Sequence, residues 1–341
     1  MKVAVVGVTG VVGEMILKVL DERRVAIDEL DAYASRERAP LLFRGQSRPI
    51  RAATPQTLRD GRYDAVFFAS SDDASEELAP HALAGGAAII DNSATFRLDP
   101  DVPLDVPEVN ADAVAAHHRI FPVANCTAIV LCVGVAPIAR VAGLRSLRVA
   151  TYQAVSGAGR AGLDALEAEE RRAWGGAENG SATPFVAPIF RNVIPQVGTL
   201  DERGDSGEEK KVAAETRKML ALPALHVAVT TVRVPVRFAH SEAVFIETER
   251  DTSVAELAGS FASAAGIAFH REGVVTPRDV EGQDLVHVAR LRAEGDSKRH
   301  FQAWVVGDQV RKGAATNGVQ ILELLIQRGH VGGRAARVNG D

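Results

Sequence analysis

Short apolar runs alternate with amphipathic stretches over the first third of the chain. Val3–Val6, Asp64–Ala69 and Ala87–Asp91 are nearly continuous apolar runs of strand length, the pattern of strands buried on both faces. Leu30–Ala34 reads as a further strand. Met15, Ile16, Val19 and Leu20 share one side of a helix, and Ala74–Ala84 reads as a second helix. This alternation predicts an α/β unit built on a doubly wound parallel sheet. The proline- and acid-rich segment Asp99–Asn110 predicts no regular helix.

The pattern changes after residue 124. Asn125 is a good N-cap, and the apolar run Ile129–Val135 behind it predicts a buried helix that starts at Cys126. Strands are expected at Leu144–Val155, Val227–Pro235, Glu242–Thr248, Leu285–Leu291 and Phe301–Val306, and helices at Arg160–Trp174 and from Glu208 through Leu220. Together they predict an α+β unit whose mostly antiparallel sheet is covered on one face by helices. Gly175–Thr183 reads as a surface loop, Gly313–Leu325 as a closing helix, and the glycine- and charge-rich stretch after Gly329 as a frayed tail.

Length changes this picture little: 341 residues suffice for two domains. A net charge of -5 with both signs mixed argues against a dedicated nucleic-acid binder. No apolar stretch is long enough to cross a bilayer, and Met1-Lys2-Val3 opens directly on a strand pattern, which leaves no room for a signal peptide. A cytoplasmic protein is expected. Cys126 and Cys132 fall on one helix, too far apart for a short zinc pair and poorly placed for a disulfide, so no metal site is expected.

Gly7-Val8-Thr9-Gly10-Val11-Val12-Gly13 joins the first strand to the first helix. Glycines there let a backbone approach a pyrophosphate, and the helix start supplies N–H donors. The second strand ends in Ser35-Arg36-Glu37-Arg38 where an NAD site usually carries a carboxylate, and arginines there suit a 2′-phosphate. The bland alternative is a solvated loop of mixed charge. Ser70 and Ser71 end a strand at the expected cofactor edge, and Arg97 is either an anion ligand or a loop charge. Cys126, in the first turn of its helix, is either a small buried hydrophobe or a nucleophile favoured as the thiolate. Gln153 precedes the glycine-rich turn Ser156–Gly159, and Glu208 and Glu209 suit a helix start. Arg233, inside an apolar strand, calls for a carboxylate or phosphate partner, whereas a lone His240 is more often structural.

Taken together, Gly7–Gly13, Asn125-Cys126-Thr127, Tyr152–Gly159, Asn192–Gln196, Glu208–Lys211, Val232–Ser241 and Lys312–Ala315 resemble aspartate-β-semialdehyde dehydrogenases, in the same order from Lys2 to about Arg328. The resemblance implies a Rossmann-type NADP-binding domain over 1–124 completed by a C-terminal helix at 312–330. It further implies a catalytic and dimerisation domain over 125–311; the composition of 331–341 makes it the expected disordered tail. It implies reduction of L-aspartyl-4-phosphate by NADPH to aspartate semialdehyde, on the route to lysine, threonine and methionine, by a homodimer or dimer of dimers. Carried over by residue, Cys126 is the nucleophile, His240 the acid/base and Gln153 the group that orients the acyl carbon. Arg233 grips the α-carboxylate and Glu209 the amino group, while Arg97 and Lys211 clamp phosphate with Asn125 beside them. Gly7, Thr9, Gly10, Val11, Val12, Gly13, Ser35, Arg36, Arg38, Ser70, Ser156, Gly157 and Asn317 are expected to hold NADP(H).

Two departures stand out. Ala124 occupies the place of the family's proline before Asn-Cys, and Glu37 aligns with its 2′-phosphate arginine, between Arg36 and Arg38. Three rivals share part of the pattern. An N-acetyl-glutamyl phosphate reductase would leave Glu209 without an ammonium partner, and a thiol acyl-hydrolase needs no dinucleotide turn. A non-catalytic dinucleotide scaffold needs none of the polar groups.

Overall fold

A computed structural model describes residues 1–175 and 183–332. Most of the expected loop 175–183 and the tail beyond residue 332 thus lie outside the described residues. The chain divides into two compact units, Met1–Ala124 with the segment from Ala314 onward, and Asn125–Gly313.

The first unit carries a seven-stranded sheet of β1 (Lys2–Val6), β2 (Glu29–Ala34), β3 (Arg38–Phe43), β4 (Gln46–Ala52), β5 (Ala65–Phe68), β6 (Ala88–Asp91) and β7 (Ile120–Pro122). Their order is β3-β4-β2-β1-β5-β6-β7. All pairings are parallel except the β3–β4 hairpin. β5 and β6 are buried along their whole length, which explains their unbroken apolar sequence. β1 has β2 on one side and β5 on the other, so the chain leaves it in opposite directions. That is the switch point where doubly wound sheets bind ligands, at the carboxyl ends of the strands. The glycine segment sits there: Gly7 and Val8 donate to the Tyr33 carbonyl, and Ala69 donates to Val6.

The exposed hairpin strands β3 and β4 were not legible as strands, because neither has the alternation of a half-buried edge. Pro107–Asn110 corrects the expectation of no helix: proline at the first helical position is tolerated, and a single turn forms. The closing helix begins with a π-helical turn at Arg311–Ala315 and continues as α-helix over Thr316–Gln327. It packs on the first helix, Val11–Glu22, where Arg23 makes a two-pronged pair with Glu323 at 2.9 and 2.6 Å.

The second unit carries β8 (Ser146–Gln153), β9 (His226–Arg233), β10 (His240–Glu247), β11 (Ile267–His270), β12 (Val286–Ala293) and β13 (His300–Gly307), in the order β11-β12-β13-β10-β8-β9. The three inner pairings are antiparallel and the two outer ones parallel. Helices Cys126–Ala142, Gly207–Met219 and Val254–Ser260 pack against this sheet. Tyr152 and Phe245 are exposed, and the Tyr152 ring lies 5.5 Å from that of Trp304. No helix among the described residues is long and apolar enough to cross a membrane.

Candidate active site

The cysteine helix starts as its sequence requires. Asn125 Oδ1 accepts the N–H groups of Thr127 and Ala128 at 3.0 and 3.1 Å, and the Asn125 N–H is held by the buried Glu215 carboxylate. Cys126, the first helical residue, is partly exposed. Cys132 is wholly buried, and burial pushes its thiol up, away from reactivity.

Three strand ends bring the partners. Gln153 closes β8 and pairs with Arg233, which closes β9. His240 opens the antiparallel neighbour β10, one position beyond the Ser241–Tyr152 pair. All three therefore stand at the same end of the sheet. His240 Nε2 lies 3.7 Å from Cys126 Sγ. The backbone N–H of Ala154 donates to His240 Nδ1 at 3.1 Å, so a neutral ring carries its proton on Nε2, toward the sulfur. Burial first, and the positive charge of Arg233 second, hold the imidazole well below its usual pKa, which keeps it neutral. Arg233 is itself buried and donates to the Ala154 carbonyl at 2.6 Å. Its charge interacts favourably with Glu208 and Cys126.

Glu208, not Glu209, enters this cluster. Its two carboxylate oxygens accept from Asn125 Nδ2 and Gln153 Nε2, each at 3.0 Å. Gln153 Nε2 also donates to Thr127 Oγ1, and Gln153 Oε1 is buried with no hydrogen-bond partner among the described residues. Glu209 is consumed elsewhere. Its carboxylate accepts the Ser206 N–H at 2.7 Å and the Thr231 N–H at 2.9 Å, closing a capping box with Ser206. The signal was present in the sequence: Ser206-Gly207-Glu208-Glu209 is S-x-x-E, which commits the second acid to the cap. Lys211 lies three residues after Glu208, so the two share a helix face.

Gly157 brings the glycine turn close against the site. A Cβ there would come within 2.7 Å of Arg233 Nη1 and 3.3 Å of the His240 ring. The Ser156 hydroxyl donates to the Arg237 carbonyl and accepts from the Gln309 side chain.

In the first unit, Gly7 has a φ of 89°, and a Cβ there would strike the Ala69 carbonyl. A Cβ on Gly13 would strike the Gly7 carbonyl, so its absence lets the helix pack on the turn. Gly10 differs: its Cβ would meet nothing closer than 3.4 Å, so packing alone does not demand glycine. The first helix starts at Val11-Val12-Gly13 with no side-chain cap, beside the exposed Thr9. This open backbone cradle suits a pyrophosphate. Ser35, Arg36 and Arg38 are exposed where β2 ends, and neither arginine has an ion pair among the described residues. Ser70 lies 3.4 Å from the Ser75 hydroxyl. Arg97 is buried and donates to the Asn92 carbonyl at 2.7 Å. Asn317 is wholly buried and donates to the Asp105 carbonyl, which ties the closing helix to the segment before Pro107.

Comparison with known proteins agrees with both units. Residues 2–117 match the family model for the semialdehyde dehydrogenase NAD binding domain, and residues 135–312 that for the semialdehyde dehydrogenase dimerisation domain. The aspartate-semialdehyde dehydrogenase of Aquifex aeolicus is 39% identical over 337 residues, covering 96% of this chain and 98% of that protein. The chain belongs to the aspartate-semialdehyde dehydrogenase family. The Bacillus subtilis member is 35% identical, over 95% of this chain and 96% of that protein. A crystal structure of aspartate semialdehyde dehydrogenase II from Vibrio cholerae is 37% identical with a TM-score of 0.90, over 96% and 98% of the two chains. The same Vibrio enzyme has been solved complexed with ASA. The arrangement in this chain is a thiol facing an imidazole, flanked by a buried guanidinium and a carboxylate.

Proposed function

We propose that this protein reduces L-aspartyl-4-phosphate with NADPH to aspartate 4-semialdehyde and phosphate, and runs the reverse phosphorylating oxidation, as a step toward lysine, threonine and methionine. The Cys126–His240 pair, with its 3.7 Å approach, is the observation that carries this reading. The Cys126 thiolate attacks the acyl carbon and phosphate departs, leaving a thioester. His240, whose Nε2 already carries the proton, acts as a hydrogen-bond donor and not as the expected acid/base: the thiol proton goes to solvent, and the Nε2–H hydrogen-bonds first the thiolate and then the oxyanion of the tetrahedral species, a contribution worth about 3 kcal/mol for a well-aimed donor. Glu208 receives the substrate ammonium and Arg233 its α-carboxylate, while Gln153 orients the acyl group. Arg97, Lys211 and Asn125 bind the phosphate.

NADP(H) fits the Gly7–Gly13 cradle, with Arg36 and Arg38 on the 2′-phosphate. NADPH held in that cradle would supply the hydride. The domains are 1–124 with 312–330 for the cofactor and 125–311 for catalysis and pairing. Subunits pair as at least a homodimer, for which the exposed Tyr152 and Phe245 face of the second sheet is suited. A cytoplasmic setting agrees with a partly exposed thiol that must stay reduced.

The test is phosphate-dependent reduction of NADP by aspartate semialdehyde, run in parallel with NAD. Activity that Cys126→Ala removes is expected, with NADP preferred. Undiminished turnover in that variant, or no phosphate dependence, overturns the reading.

A further inference from the structure

Asp91 ends β6 at the carboxyl edge of the parallel sheet and has no exposed surface. Its carboxylate is nevertheless fully engaged. Oδ1 accepts the Ser75 hydroxyl and the Ser93 N–H, both at 3.0 Å, and Oδ2 accepts the Ser93 hydroxyl at 2.5 Å. These bonds run in two directions. Through Ser75 they reach Ser70, on the turn that leaves β5. Through Ser93 they fix the loop that carries Arg97, whose guanidinium donates to the Asn92 carbonyl one residue from Asp91.

The same loop is held from outside. Asn92 donates to the Phe68 carbonyl through its N–H and its side chain, at 2.9 and 3.2 Å. Ala94 donates to Asp72 Oδ1 at 2.8 Å. Asp91 is the buried ionisable group at the centre of this arrangement. Burial raises its pKa, while the hydrogen bonds from Ser93 and Ser75 and the charge of Arg97 oppose that rise. Burying a carboxylate is costly, and what it supplies here that a neutral amide could not is a second acceptor oxygen, so that the serines on both sides are held at once.

We propose that Asp91 is a positioning residue for anion binding at Arg97: it fixes the Asn92–Arg97 loop so that the guanidinium is held ready for the phosphate of the substrate. This rests on the reading of Arg97 as a phosphate ligand. Asp91 acts through the loop and touches no substrate itself. Asp91→Asn keeps the shape but loses one acceptor, so either Ser93 or Ser75 loses its partner and the loop loosens.

The test is steady-state kinetics in the direction that consumes inorganic phosphate. Asp91→Asn is expected to raise the KM for phosphate on the order of tenfold while kcat and the KM for NADP and aldehyde stay within about twofold. Ser93→Ala, a milder cut in the same chain, raises it less. Arg97→Ala alone decides the underlying reading: an unchanged phosphate KM removes Arg97 from the phosphate site. With Arg97 confirmed in this way, the double variant Asp91→Asn/Arg97→Ala is expected to match Arg97→Ala alone. Additive losses, or equal losses in all three KM values, mean that Asp91 only supports the fold and overturn the proposal. Should Asp91→Asn fail to fold, the same comparison made with Ser93→Ala and Ser93→Ala/Arg97→Ala decides it.

Discussion

The backbone N–H of Ala154 and the imidazole of His240 share a 3.1 Å hydrogen bond at Nδ1. Because a backbone amide can only donate, this contact forbids a proton on Nδ1 and leaves the single imidazole proton facing Cys126. His240 is therefore built as a donor, and taking up a second proton would break the bond to Ala154.

The first prediction concerns that proton. Nitrogen-15 NMR of the histidine side chains is expected to show His240 as the neutral Nε2–H tautomer well below pH 6.5, the ordinary histidine value. The unfolded chain takes up a proton near that pH and the native protein does not. Stability should therefore fall as pH drops below about 6.5, and the slope should shrink in His240→Gln. A His240 that titrates at or above the ordinary value counts against the donor role.

Glu208 and Glu209 are neighbours in sequence with separate duties. Glu208→Ala is expected to raise the KM for the amino-aldehyde by tenfold or more, the usual loss of a charged hydrogen bond, with little change in melting temperature. Glu209→Ala should do the reverse, costing about 1 kcal/mol of stability through the lost cap and leaving the KM near wild type. Kinetics and thermal melts on the two variants separate these outcomes.

Gly157→Ala puts a methyl group against Arg233 and the His240 ring. The fold should survive, since the clash is with side-chain atoms, but the Cys126–His240 geometry should not. A loss of kcat/KM of about a hundredfold with an unchanged circular dichroism spectrum is the expected result.

Glu242 lies two residues beyond His240 on the same strand, wholly buried, and neither carboxylate oxygen has a hydrogen-bond partner among the described residues. Burial pushes its pKa well up. The unfolded chain ionises this group near pH 4.3, so its burial weakens the native state increasingly as pH rises above that value. Glu242→Gln should therefore raise the melting temperature at neutral pH, and the gain should vanish toward pH 4. Thermal melts across that range give the answer, and a gain independent of pH contradicts it.

Features that depend on neighbours along the chain were legible from the residues in order. Val3–Val6 running into Gly7 and a helix start marks a parallel strand and its turn, and Asn125 before an apolar run marks a helix that begins at a cysteine. Such features come from backbone freedom, caps and periodicity, which act over a few residues. Features that depend on pairing between distant strands emerged with the folded chain. The β8–β9–β10 register sets Gln153, Arg233 and His240 side by side, although up to 87 positions separate them. The backbone of Ala154 chooses the His240 tautomer, and Thr231 takes Glu209 while Asn125 and Gln153 take Glu208. A side chain goes to whichever donors the fold brings within about 3 Å, and that is a property of the folded chain, not of the order of its residues.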